Sequence, residues 1–140
     1  MLKQEPISTF HEAQYLDRGI RGAIVNTASL SGLITLSDFA GYASSKHGVT
    51  MMTRQLAREY APHKIRVNSV CPGIVRTNMV TETGLTQEFL DGLSRQAPMN
   101  RWIHADEVAE ATLFLCSSQA SAVTGVNLPV DCGATLYHSM

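Results

Sequence analysis

The chain has 140 residues, 44% hydrophobic and 16% charged, with a formal net charge of −1. That length supports one domain with a real hydrophobic core, and the composition excludes a disordered chain. The scattered Lys and Arg give no footprint for nucleic acid or an anionic membrane surface, and no apolar run approaches the roughly 20 residues of a membrane-spanning helix.

Met1 to Pro6 lacks the apolar core of a secretion signal, and the expected location is cytoplasmic. Cys71, Cys116 and Cys132 are far apart and odd in number, and the five histidines show no ligand spacing, so reduced structural thiols and no metal are expected. Cys71 is expected to be buried at a strand end. Residues 1–4 read as the tail of a helix that Pro6 ends, and residues 7–21 as an irregular surface segment. The expected organisation is therefore an irregular segment over 1–21 followed by a folded unit over 22–140.

Gly22-Ala-Ile-Val-Asn-Thr-Ala-Ser29 is β-rich and bounded by glycine and serine, which suits a buried strand. Residues 30–40 read as a loop. A helix follows from about Gly41 to Tyr60, with Val49, Met52, Leu56 and Tyr60 near helical spacing, and Ala61-Pro62-His63 stops it. Ile65 to Cys71 is a second strand closed by Pro72-Gly73. Residues 74–104 form a long variable stretch with a short helix at Thr86–Arg95, capped by Thr86. A further helix over Ala105–Ser118 carries Val108, Ala111, Thr112 and Leu115 on its apolar stripe, with Asp106 and Glu107 in its first turn. Val123 to Val130 is a third strand, and Pro129 suggests an edge or a strand end. Alternating strands and helices imply right-handed crossovers: an α/β fold with a partial doubly wound, Rossmann-like parallel sheet of about three strands and flanking helices.

In such sheets ligands bind beyond the carboxyl ends of the strands. Ser29 and Pro72-Gly73 fall at those ends, and Tyr42 opens the next helix. Tyr42 and Lys46 are four apart and share a helix face, so an ammonium sits beside a phenol and favours its ionised form. That suits a proton donor and acceptor working on an alcohol or ketone. Alone, the spacing is more often that of a packed tyrosine beside a solvated lysine. Its convergence with Ser29 and Pro72-Gly73 favours chemistry.

Four pieces in register resemble the C-terminal half of the short-chain dehydrogenase/reductase family. Ile24-Val-Asn-Thr-Ala-Ser29 resembles the strand ending in the catalytic serine, and Tyr42-Ala-Ser-Ser-Lys46 the Tyr-x-x-x-Lys motif. Ile65 to Gly73 with Thr77 resembles the strand and turn that approach the nicotinamide, and Val123 to Asp131 the closing strand. The resemblance implies an NAD(P)-dependent oxidoreductase interconverting a secondary alcohol and a ketone. It implies Tyr42 as general acid/base, Lys46 easing the phenol's ionisation and bonding the nicotinamide ribose, and Ser29 orienting the substrate oxygen. Pro72, Gly73, Val75 and Thr77 would hold the nicotinamide end of NAD or NADP.

Ser31 is a rival to Ser29, two residues short of the family spacing. Thr77 reads equally as a plain loop or cap residue. Arg66 and Asn68 are expected to bond structurally, and Cys132 to be a tolerated substitution where the family often has glycine. The sequence contains no Gly-x-Gly, so the family's pyrophosphate turn, its first strands and its catalytic asparagine have no match. The chain is expected to be truncated, with the nucleotide-binding half absent and the first strand open on one side. That edge could dock a complementing chain or a second copy, which keeps a non-catalytic fragment or split-enzyme half as the alternative reading.

Overall fold

A computed structural model of the chain describes residues 19–78, 82, 84, 86–95 and 97–137. The expected helix tail and most of the irregular segment, residues 1–18, lie outside the described residues. Strands β1 (Gly22–Thr27), β2 (Ile65–Pro72) and β3 (Asn127–Val130) form one parallel sheet in that order. Gly22 pairs with Ile65 and Thr27 with Val70, while Ser69 pairs with Asn127 and Pro72 with Val130. Both junctions return to the sheet through helices: α1 (Ala40–Tyr60) between β1 and β2, then α2 (Gln87–Ser94) and α3 (Ala105–Cys116) between β2 and β3.

Side chains alternate across the strands and so sort the helices onto two faces. Ile65 and Val67 pack with Ala57 of α1, joined by Ile24, Leu56 and Tyr60. Arg66 points the other way, to the end of α3. Its Nη1 donates to Leu115 O at 2.8 Å and Val123 O at 3.2 Å, and its Nη2 to Ser117 O at 3.0 Å. These carbonyls include ones left free at a helix C-terminus, where a cation is favoured. The guanidinium is only 5% exposed, and burial pulls its pKa below the ordinary value. Asn68 donates to Val123 O at 2.9 Å and accepts from Val126 N at 3.1 Å. Both residues bond structurally, as their flanking positions on β2 suggested.

The expected stripe of α1 is displaced. Leu56 and Tyr60 reach the core, but Met52 is 47% exposed, and the buried positions are Thr50, Thr53 and Ala57. Hydrogen bonds account for the shift. Thr53 accepts from Asn26 Nδ2 at 2.9 Å and donates to Val49 O, while Thr50 donates to Gly32 O, so two threonines take the inward face. The third strand is shorter than expected. Gly125 N and Val126 O still bond β2, but Thr124 uses its side-chain oxygen to accept from Val67 N. Helix α3 ends at Cys116 rather than Ser118, because Ser117 turns extended and caps the following 3-10 turn. Thr86 accepts from Phe89 N at 3.3 Å at the start of α2, the expected capping position. β3 forms one edge, as Pro129 indicated; among the described residues nothing pairs with the outer side of β1.

Removing the guanidinium strands several carbonyls at once. Arg66→Met is expected to lower the unfolding free energy by about 2–3 kcal/mol in urea titration, since hydrogen bonds to a charged group are the costly ones to lose. Cys132 and Gly133 both take left-handed backbone, at φ 54° and 85°. A side chain there costs roughly 1–2 kcal/mol, offset in part by the greater freedom of glycine in the unfolded chain. Cys132→Gly is therefore expected to raise stability by about 0.5–1 kcal/mol in the same titration.

Candidate active site

All three strands end at one edge of the sheet, and the segments leaving them carry the candidate groups. Ser29 follows β1 in extended backbone, and its Oγ accepts from Ser31 N at 3.2 Å, capping a 3-10 turn over Leu30–Gly32. Tyr42 and Lys46 stand on the first turns of α1, reached through Asp38, which takes left-handed backbone at φ 67°. Gly73 follows β2 and passes so close to the end of β3 that a Cβ would meet Asp131 Cα at 3.1 Å. Beyond it, Val75 pairs with Ile103, with Arg76 N donating to Ile103 O and Ile103 N to Ile74 O, which holds the exit from β2 against the entry to α3.

These segments surround a cleft of about 330 Å³, within the range of small-ligand sites. Ser29, Tyr42, Lys46, Pro72, Gly73, Val75 and Thr77 all line it, so the seven residues that the resemblance marks as catalytic or cofactor-holding meet in one place. The rival Ser31 is 4% exposed and is not part of the lining. Thr77 belongs to the wall and lies in irregular backbone directly ahead of Asn78, so lining the cleft and serving as a loop or cap residue are compatible. Ala105 and Val108, from the start of α3, complete an apolar side that sequence reading missed. Their helical period marks them as inward-facing, but nothing in that period says which end of the sheet they face.

Lys46 Nζ donates to Thr27 O at 3.2 Å and lies 5.7 Å from the Tyr42 ring centroid. The ring is 46% exposed and meets Phe39 edge-on, with centroids 6.4 Å apart. Cys71 lies under the same edge, fully buried, with its thiol pKa pushed up chiefly by burial, which leaves it a poor nucleophile. A second hollow of similar size at the opposite edge includes Lys64 and Arg66 in its lining. Arg66 already serves three carbonyls there, so volume alone does not distinguish the two hollows; the proton-transfer groups do.

An ion pair braces the entry to α3. Arg101 grips Glu107 through two bonds of 2.7 and 2.8 Å, and Glu107 also accepts from His104 N at 2.9 Å, closing the first turn of α3. Trp102 Nε1 donates to Asp91 Oδ1 at 3.0 Å and ties α2 to the same segment. The Arg101 bonds, then the His104 amide, hold the Glu107 pKa down at about 2.

A sequence model of the family described as enoyl-(acyl carrier protein) reductase matches residues 7–135. The chain is 43% identical over 123 residues to 3beta-hydroxysteroid dehydrogenase 1 of Eggerthella lenta, covering 88% of this chain and 47% of that one. A solved putative 2-deoxy-d-gluconate 3-dehydrogenase from Agrobacterium tumefaciens with bound NADP superposes with a TM-score of 0.77 at 34% identity, over 82% of this chain and 47% of the other. A 4-hydroxyisoleucine dehydrogenase mutant complexed with NADH and succinate gives 0.76 at 35% identity, over 82% and 47%. The chain spans about half the length of the relatives it matches. No helix among the described residues is long and apolar enough to cross a membrane.

A folded-state carboxyl held near 2 contributes stability that is fully present above its ordinary value near 4.5 and is lost as pH falls toward 2. Because the pair is more than a third exposed, salt screens it. Acid titration of Glu107→Gln should therefore lack part of the stability loss that the parent shows between those two pH values, and the difference should shrink in high salt. The fold, the sequence match and the convergent cleft together identify the chain as a member of the short-chain dehydrogenase/reductase family.

Proposed function

We propose that this cleft interconverts a secondary alcohol and a ketone with NAD or NADP. The observation that carries the reading is the meeting of a phenol, an ammonium and a serine hydroxyl in one cleft at the carboxyl edge of the sheet. Pro72, Val75 and Val108 offer the apolar wall that a flat nicotinamide ring needs, and Thr77 brings a hydroxyl to that wall for its carboxamide. Gly73, with no side chain, keeps the turn close to β3. A bound nicotinamide supplies the hydride in reduction and takes it in oxidation.

The chain's own groups do the rest. In reduction Ser29 donates to the substrate oxygen and steadies the charge that develops on it. Tyr42 gives its hydroxyl proton to that oxygen as the carbon–oxygen double bond becomes an alcohol; in oxidation the phenolate takes the proton back. Lys46 brings its positive charge beside the Tyr42 ring and offers further N–H donors to the cofactor ribose. The family names among the relatives and the NADP- and NADH-bound neighbours support nicotinamide chemistry and leave the choice of cofactor open.

Among the described residues nothing pairs with the outer side of β1, which favours a second reading, in which the chain acts only with another segment paired there. In that case size-exclusion chromatography finds an assembly, and cofactor binding appears only with the complementing chain.

NAD(P)H fluorescence titration followed by turnover of a ketone panel tests the first reading. Tyr42→Phe should lower kcat by roughly 10²- to 10⁴-fold, the usual worth of a positioned acid/base, with NAD(P)H still bound. Ser29→Ala should lower it by roughly 10²- to 10³-fold. Turnover undiminished by Tyr42→Phe sinks the proposal.

A further inference from the structure

We infer that Gly32 and Thr50 are positioning residues that set Ser29 against the Tyr42/Lys46 pair by docking the serine's turn onto the backbone of Lys46. This inference rests on the roles proposed above for Ser29, Tyr42 and Lys46. Nothing in the backbone conformation of Gly32 demands glycine, because its φ lies outside the left-handed region. Its surroundings do. A Cβ on Gly32 would lie 2.8 Å from Lys46 O, 3.1 Å from Lys46 C and 2.9 Å from Thr50 Cγ2. The first two are helix backbone, which cannot swing aside as a side chain can.

Hydrogen bonds lock the same contact. Thr50, 6% exposed, donates from Oγ1 to Gly32 O at 3.1 Å and also approaches His47 O at 2.9 Å. Gly32 N donates back to Ser29 O at 2.9 Å, so the residue docked on α1 is bonded directly to the serine's own carbonyl. On the upstream side Lys46 Nζ holds Thr27 O at 3.2 Å. Ser29 is thus bracketed by one lysine: its ammonium grips the chain two residues before the serine, and its carbonyl meets the chain three residues after. The two ends of the bracket come from the residue that also accompanies Tyr42 into the cleft.

Such a bracket makes the spacing between the serine hydroxyl and the phenol a property of backbone contact. A methyl at position 32 has to lift the turn from α1. A displacement of about 1 Å at a reacting site is worth up to about 100-fold in rate. The distal walls at Pro72, Val75 and Thr77 come from the end of β2 and the segment after it, which is held by Ile103, and would not move with it, so cofactor binding should be spared.

The test uses the full chain and two readouts. Gly32→Ala should lower kcat roughly 10- to 100-fold with the KM for NAD(P)H within about 2-fold of the parent. Thr50→Val should lower it in the same manner, and Thr50→Ser, which keeps the hydroxyl, should retain it. Amide hydrogen exchange read by mass spectrometry should accelerate in peptides covering 28–36 in Gly32→Ala and Thr50→Val, with 65–72 unchanged; a merely destabilising substitution accelerates both. Tyr42→Phe should leave the exchange of 28–36 as in the parent. Full kcat in Gly32→Ala, or acceleration spread evenly over the sheet, overturns the inference. Turnover insensitive to Tyr42→Phe overturns the catalytic reading instead, and the exchange pattern then decides the docking by itself.

Discussion

Strand β2 is hydrogen-bonded on both sides and buried along nearly its whole length, and the placement of every other element follows from that. It carries Arg66, Asn68 and Ser69 into the interior, three polar residues that each cost free energy unless paired. Between them they reach three neighbouring segments, with Arg66 and Asn68 sharing Val123 O. Arg66 holds the end of α3, Asn68 holds the chain entering β3, and Ser69 donates to Asn127 Oδ1 at 2.6 Å in β3. Asn127 in turn donates to Thr50 O at 3.4 Å in α1. Polar groups on one strand thereby tie both helical layers and the edge strand, and hydrophobic contact supplies the bulk of the core around Ala57, Ile65 and Val67.

Parallel pairing then forces the chemistry to one side. With β1, β2 and β3 running the same way, the residues that follow each strand emerge at the same edge whatever their side chains. Ser29, Gly73 and Asp131 are neighbours for this reason, although 102 positions separate the first from the last by numbering. Asp131 accepts from Gly133 N at 2.9 Å and Thr135 N at 2.7 Å, so the third strand's exit is closed on itself while the first two open toward the cleft. Glycine at 73 lets β2's exit press against Asp131.

This dependence explains what was legible in the sequence. Strand β2 reads easily because Ile65, Val67 and Cys71 alternate on a β-rich run that ends at Pro72-Gly73. The Tyr42/Lys46 spacing and the strand-end serine carry the candidate site because their meaning depends only on element order. The inward face of α1 was misread for a definite reason. Hydropathy ranks Met52 above Thr50 and Thr53, yet the threonines gain partners on Asn26 and Gly32 that no pattern along one helix can reveal. Gly32 was unreadable in the same way, since its need for glycine arises from a helix backbone fourteen residues further along. Val108 was placed on the apolar stripe of α3 and Ala105 was not, and the share of both in the cleft depends on the Val75–Ile103 pairing, a contact across the variable stretch.

Among the described residues β1 pairs with β2 alone, which gives these side contacts added weight. A strand paired on one side only holds half the ladder bonds of an inner strand, and its exit is correspondingly less constrained. Ser29 leaves from that strand. Ala28 N still bonds Val70 O at 2.9 Å, but beyond it the turn relies on its own 3-10 bonds and on α1. The apolar and hydrogen-bonded seat of Gly32 on Lys46 and Thr50 therefore carries positional information that the sheet does not supply at this point. The same lysine that charges the cleft also anchors the strand end through Thr27 O, so its ammonium has a structural bond to keep as well as a chemical one to make. An isosteric neutral residue at position 46 removes both at once, which is why the backbone side of the contact, at Gly32, separates geometry from charge where Lys46 itself cannot.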